Sequence, residues 1–121
     1  AKTVWSYAKI GHSSPKLFDA ISHKAIENLD ALNSQDIANT VWAYATLRHS
    51  SPKLFDTISQ KAIEKIDAFN SQATANTVWA YATLSHSSPK LFDAISHKAV
   101  KNLDDFNSQE ISNTVWAYAK A

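Results

Sequence analysis

From Pro15 onward an apolar residue recurs every three or four positions. On a helical wheel Leu17, Phe18, Ile21, Ala25, Leu29 and Leu32 share one half, while Lys16, Asp19, His23, Lys24, Glu27 and Asp30 share the other. The spacing predicts an amphipathic helix of about 18 residues. Ser14 is suited to cap it, and Pro15 fits the first helical position, where its missing amide donor costs nothing. The same signal returns at Ser51 with Pro52 and at Ser88 with Pro89. Asn33, Asn70 and Asn107 close these stretches and open the next helix as N-caps. Asp36 and Glu110, three residues on, predict capping boxes, and Ala73 cannot form one.

The helix opened by Asn33 reads QDIANTVWAYATL over residues 35–47. Ile37, Ala38, Val41, Trp42 and Ala45 form its apolar arc, with Tyr44 at the edge. The opposite arc is Asp36, Asn39, Ala43 and Thr46. Exposed helix faces are normally charged, so this small and neutral one predicts that something lies against it.

Both helices recur with a 37-residue period, marked by Trp5, Trp42, Trp79 and Trp116. Adjacent periods share 26 of 37 positions. A repeat of this length with helical patterning predicts an all-α α-solenoid of two-helix units, each burying its apolar side against its neighbours. Seven helices are expected in one continuous array over residues 1–121. Its units are approximately 1–32, 33–69, 70–106 and 107–121, the first and last partial. The terminal helices match interior copies, which leads us to expect a segment of a longer solenoid.

Composition narrows the chemistry. There is no cysteine, which excludes disulfides and thiolate metal sites. Twelve Lys and Arg balance eleven Asp and Glu, for a net charge of +1, so a nucleic-acid role must rest on local placement. No apolar run reaches the roughly 20 residues of a membrane span. His12, His49 and His86 are one period apart, too far to share a metal ion. They are expected to close the turns, with phosphate contact near Ser14 and Lys16 as the functional alternative. Catalysis is not expected, because repeats copy one environment, whereas active sites gather different residues at one point. No cofactor is expected either.

The phrases ANTVWAYATL and SPKLFDAI carry a resemblance to a known family. With ANTVW and WAYA at residues 38–45 and 75–82, SNTVWAYA at 112–119 and KTVWSYA at 2–8, the chain resembles the octotricopeptide repeat family and its heptatricopeptide relatives. The 37-residue period matches the latter. The glycine usual after the first helix stands only at Gly11, with Arg48 and Ser85 in its place elsewhere. The resemblance implies a right-handed superhelix similar to tetratricopeptide and pentatricopeptide solenoids. It also implies binding of organellar RNA, in a plastid or mitochondrion, for maturation, stability or translation of transcripts.

Modular RNA repeats read about one base per repeat with two or three side chains. The tryptophan helix offers such a stripe: Lys2 and Lys9 in the first copy, then Asp36, Asn39 and Thr46, then Ala73, Asn76 and Thr83, then Glu110, Asn113 and Lys120. Asn39, Asn76 and Asn113 are the candidate base or backbone contacts, each with a donor and an acceptor. Positions 36, 73 and 110 would tune preference, and Arg48 adds charge beside the stripe. The alternative for the asparagines is an inter-repeat amide ladder. The tryptophans are expected to pack in the core. Tyr44 and Tyr81, at the border, are secondary candidates for stacking on a base. The two functions that follow are a single-stranded RNA binder and a scaffold holding a peptide or partner subunit in the same groove.

Overall fold

A computed structural model describes residues 15–121. Among them are six α-helices of 13 residues each and no strand: α1 (Pro15–Glu27), α2 (Ser34–Thr46), α3 (Pro52–Glu64), α4 (Ser71–Thr83), α5 (Pro89–Lys101) and α6 (Ser108–Lys120). The expected seventh helix, around Trp5, lies outside the described residues with Lys2 and Lys9. No described helix is long and apolar enough to cross a membrane.

The caps follow the sequence closely at one boundary and not at the other. Asn33, Asn70 and Asn107 accept the amide of the third helical residue at 2.8, 2.7 and 2.8 Å. Asp36 and Glu110 reciprocate at 3.2 and 2.9 Å, and Ala73 has no group to do so. Pro52 and Pro89 sit in the first turns of α3 and α5, but Ser51 and Ser88 make no capping bond. Ser88 instead donates from Oγ to Ser59 Oγ at 3.0 Å, so its hydroxyl joins the buried hydrogen bonds of Ser59 and Tyr81.

The expected 18-residue helix is a 13-residue α-helix followed by a 3₁₀ turn, at Leu29–Ala31, Ile66–Ala68 and Leu103–Asp105. Asn28 and Asn102 fold their side-chain amides back onto the carbonyls of Lys24 and Lys98 at 3.0 and 3.1 Å, competing locally with the α-helical pattern. Tightening to about three residues per turn puts positions three apart on one side. Ile66 thereby lines up with Phe69, and Phe69 and Phe106 enter the core.

The tryptophan helices end in a Schellman motif. His49 N–H donates to the Tyr44 carbonyl at 2.9 Å and Arg48 N–H to Ala45 at 3.0 Å, and His86 and Ser85 repeat the pair at 2.9 and 3.1 Å. The motif requires left-handed backbone at Arg48 (φ 54°) and Ser85 (φ 53°), the place where Gly11 stands in the first copy.

Helices α2, α4 and α6 form one closely packed row, and α1, α3 and α5 a second, more open one. The core lies between the rows. Phe18, Ile37, Tyr44, Leu54, Phe55, Ile58, Tyr81, Leu91 and Ile95 are fully buried there, and each large side chain contributes about 1.5–3 kcal/mol.

Candidate functional site

Helix α6 has a single neighbour in its row, α4. Its Ala117 is buried, while Ile111 and Val115, on the other flank, are exposed. The alanine flank therefore faces the preceding helix and the Ile/Val flank the following one. The same positions in α2 and α4 obey this rule, since Val41, Ala43, Val78 and Ala80 are all 0 % exposed. Side chains limited to a methyl group let the two backbones approach, which explains why the row is tight.

This geometry corrects the expected stripe. Ala80 lies in the seam between α4 and α2, Ala43 is fully buried, and Ala73, at 1 % exposure, cannot tune a contact. Asp36 and Glu110 are half-buried with their carboxylates engaged in the capping boxes. The open face is turned by about one side chain and reads Gln35, Asn39, Trp42 and Thr46 in α2. In α4 it is Gln72, Asn76, Trp79 and Thr83, and in α6 Gln109, Asn113, Trp116 and Lys120.

The asparagines keep their place on this face. Gln35 Nε2 donates to Asn39 Oδ1 at 3.1 Å, and Gln109 Nε2 to Asn113 Oδ1 at 3.4 Å. These are bonds within one helix, one turn apart, and the alternative of an inter-repeat amide ladder does not form among the described residues. The Asn76 side chain has no hydrogen-bond partner among them.

The tryptophans are the larger correction. They do not fill the core: Trp42 and Trp79 rest half-buried on its rim, and Trp116 is 44 % exposed. The Trp79 and Trp116 rings lie 6.5 Å apart between centroids at 35°. Lys120 Nζ stands 5.9 Å from the Trp116 ring centroid. Thr46 is exposed, and Thr83 Oγ1 is buried with no hydrogen-bond partner among the described residues, although helical threonines such as Thr40 and Thr77 bond the carbonyl four residues back. Arg48 is exposed just beyond the end of α2.

Tyr44 and Tyr81 exchange roles with the tryptophans. Both are fully buried, so neither ring is available to a base. The Tyr81 hydroxyl donates to the Phe55 carbonyl at 2.6 Å and accepts from Ser59 Oγ at 3.0 Å. Tyr44 donates to the Phe18 carbonyl at 2.9 Å, and its hydroxyl is hydrogen-bonded with Ser22 Oγ at 2.8 Å. Burial raises the pKa of both hydroxyls and pushes that of Tyr118 up to about 12. Each tyrosine thus fastens its own unit to the second helix of the unit before.

The turn histidines are committed to the same joint. His49 Nε2 meets Asp19 Oδ1 at 3.3 Å and His86 Nε2 meets Asp56 Oδ1 at 2.7 Å, with the rings edge-on against Phe18 and Tyr44, and Phe55 and Tyr81. This engagement leaves them poorly placed for phosphate contact. Lysines on the second row also reach backward, Lys61 to Asp30 and Lys98 Nζ to the Asp67 carbonyl at 3.0 Å. The Lys61 ammonium, hydrogen-bonded to Asp30, holds that carboxyl below its usual range. No group of metal-binding side chains occurs among the described residues.

Sequence reasoning placed the asparagines on the open face but missed the glutamines and tryptophans. The available signal was the alanine retained at 43, 80 and 117, a mark of close helix approach that would have turned the wheel toward Gln35 and Trp42.

A search of curated proteins finds no match to the chain. The sequence profile of the RNA-editing substrate-binding complex 6 protein family matches residues 1–120. Spanning all but the final residue, that match places the chain in the RNA-editing substrate-binding complex 6 protein family.

Proposed function

We propose that this chain is a helical-repeat module that binds single-stranded RNA along the open face of α2, α4 and α6, as part of an RNA-editing or related RNA-processing assembly. The observation that carries this reading is the face itself. Three adjacent helices present the same amide, asparagine and aromatic side chains in the same order, which suits one contact per repeat. The family name adds an RNA substrate. The resemblance to octotricopeptide and heptatricopeptide repeats points the same way and suggests an organellar setting, in a plastid or mitochondrion. On this reading the chain needs no cofactor and does no chemistry of its own.

Selection of bound sequences from a random single-stranded RNA pool tests the proposal. Enrichment of a short sequence pattern, lost on replacing Asn76 and Asn113 by Ala, is the expected result. No enrichment over background would overturn it. The second reading is a scaffold that holds a peptide or partner subunit along the same face, and binding of a protein partner with no RNA enrichment would favour it.

A further inference from the structure

Given the RNA-binding proposal, on which this inference rests, the open face also specifies how the strand would lie. A groove that tracks phosphates needs Lys and Arg along it. Among the described residues this face has one cation, Lys120, and that ammonium lies over the Trp116 ring. The nearest carboxylates, Asp36 and Glu110, are held in caps. What remains at the centre of the face is aromatic surface flanked by amides.

The Trp79 and Trp116 rings, 6.5 Å apart between centroids and inclined at 35°, are neighbours along the face and extend one aromatic surface from helix to helix. Asn76 is on the same helix as Trp79, is partly exposed and makes no side-chain hydrogen bond among the described residues, so the edge of a base held at that ring meets a donor and an acceptor. We infer that the tryptophan row is a base-stacking platform, on which the bases of single-stranded RNA face inward against Trp42, Trp79 and Trp116, Asn76 and its counterparts meet their edges, and the phosphates face solvent.

Stacking is worth enough to be measured, since removing one aromatic platform typically lowers affinity at least about five-fold. The test is titration of the whole chain with a labelled oligouridylate and a labelled mixed-sequence single strand across a salt series. Trp116→Leu, Trp79→Leu and Trp79→Phe are titrated in parallel, with circular dichroism melts to confirm folding. Expected are quenching of tryptophan fluorescence, a shallow slope of log affinity against log salt equivalent to about one phosphate, and no binding to duplex RNA, whose bases are stacked away. Trp116→Leu, at the exposed end of the row, loses about five-fold or more, and Trp79→Phe keeps more affinity than Trp79→Leu. Binding with a steep slope, indifferent to folded Trp116→Leu and Trp79→Phe, would overturn the stacking platform while leaving RNA binding intact. No binding of the unaltered chain to either strand at low salt would overturn both.

Discussion

The hydroxyl of Tyr81 donates a hydrogen bond to the carbonyl of Phe55, 26 residues earlier in the chain and one unit back in the array. Ser59 Oγ accompanies it, and Tyr44 with Phe18 and Tyr118 with Phe92 repeat the contact at 2.9 and 2.6 Å. The bond is the polar fastening in an otherwise apolar joint. Tyr81→Phe keeps the ring and removes the fastening, and is expected to cost about 1–2 kcal/mol in urea unfolding. Ser59→Ala should cost less on its own, and the pair less than the sum, because both hydroxyls serve one carbonyl. Additive losses would show that they act separately.

The same tyrosines make the fold sensitive to alkali. Burial raises the pKa of Tyr81 and Tyr118 above the ordinary 10.0, to about 12 for Tyr118, so the folded state holds the proton that the unfolded chain releases. The contribution is fully present below pH 10 and is lost as pH rises through the folded-state value. The melting temperature is therefore expected to fall between pH 10 and 12. With both Tyr81 and Tyr118 replaced by Phe, the fall should be shallower, although the starting stability is lower. Equal slopes in the two proteins would remove tyrosine ionisation as the cause.

These joints separate what was legible in the sequence from what was not. Caps at Asn33, Asn70 and Asn107, starts at Pro52 and Pro89, and the 37-residue unit are local signals, readable without knowing the neighbours. The orientation of α2 and α4 is not local. Each is buried on both flanks as well as its back, so a wheel with one apolar arc cannot say which alanine faces water. Tyrosine at the rim of an arc suggests a wet hydroxyl, yet its partner is a backbone carbonyl that no periodicity reveals. Trp42 and Trp79 depart from expectation for the converse reason: large aromatic rings are usually buried, and here they occupy the rim where the candidate site lies. Asn39, Asn76 and Asn113 stand partly exposed, as their place on the wheel predicts, because a position well away from the apolar arc stays open when the helix is turned by one side chain.

Ser85 carries a positive φ of 53° to complete the Schellman motif after α4. Left-handed backbone costs a residue with a Cβ about 1–2 kcal/mol, whereas glycine adopts it freely but loses more entropy on folding. Ser85→Gly is expected to stabilise the protein by about 0.5–1 kcal/mol, and Arg48→Gly, at φ 54°, by a similar amount. Thermal melts read both. Arg48 lies beside the candidate face, so RNA affinity of the Ser85 variant should be unchanged while that of the Arg48 variant reports any contribution of its charge. A destabilised Ser85→Gly would mean that its hydroxyl has a role beyond the cap.

Ala80 decides between the two orientations of the tryptophan helix. Were it on the open face, as its position opposite the apolar arc suggests, Ala80→Leu and Ala80→Lys would be tolerated and would alter ligand binding first. In the structure it is fully buried where α4 meets its neighbour, and its counterpart Ala117 is buried where α6 meets α4. A methyl group fills that space, so three further carbons must push the helices apart or take a strained rotamer, at about 1–3 kcal/mol. Lysine adds a charge that has no partner there and costs more. Both variants are expected to lower the urea midpoint strongly. Gln72→Lys, on the open face of the same helix, should leave it within about 0.5 kcal/mol. Tolerance at Ala80 together with loss at Gln72 would reverse the assignment of the face and move the candidate site with it.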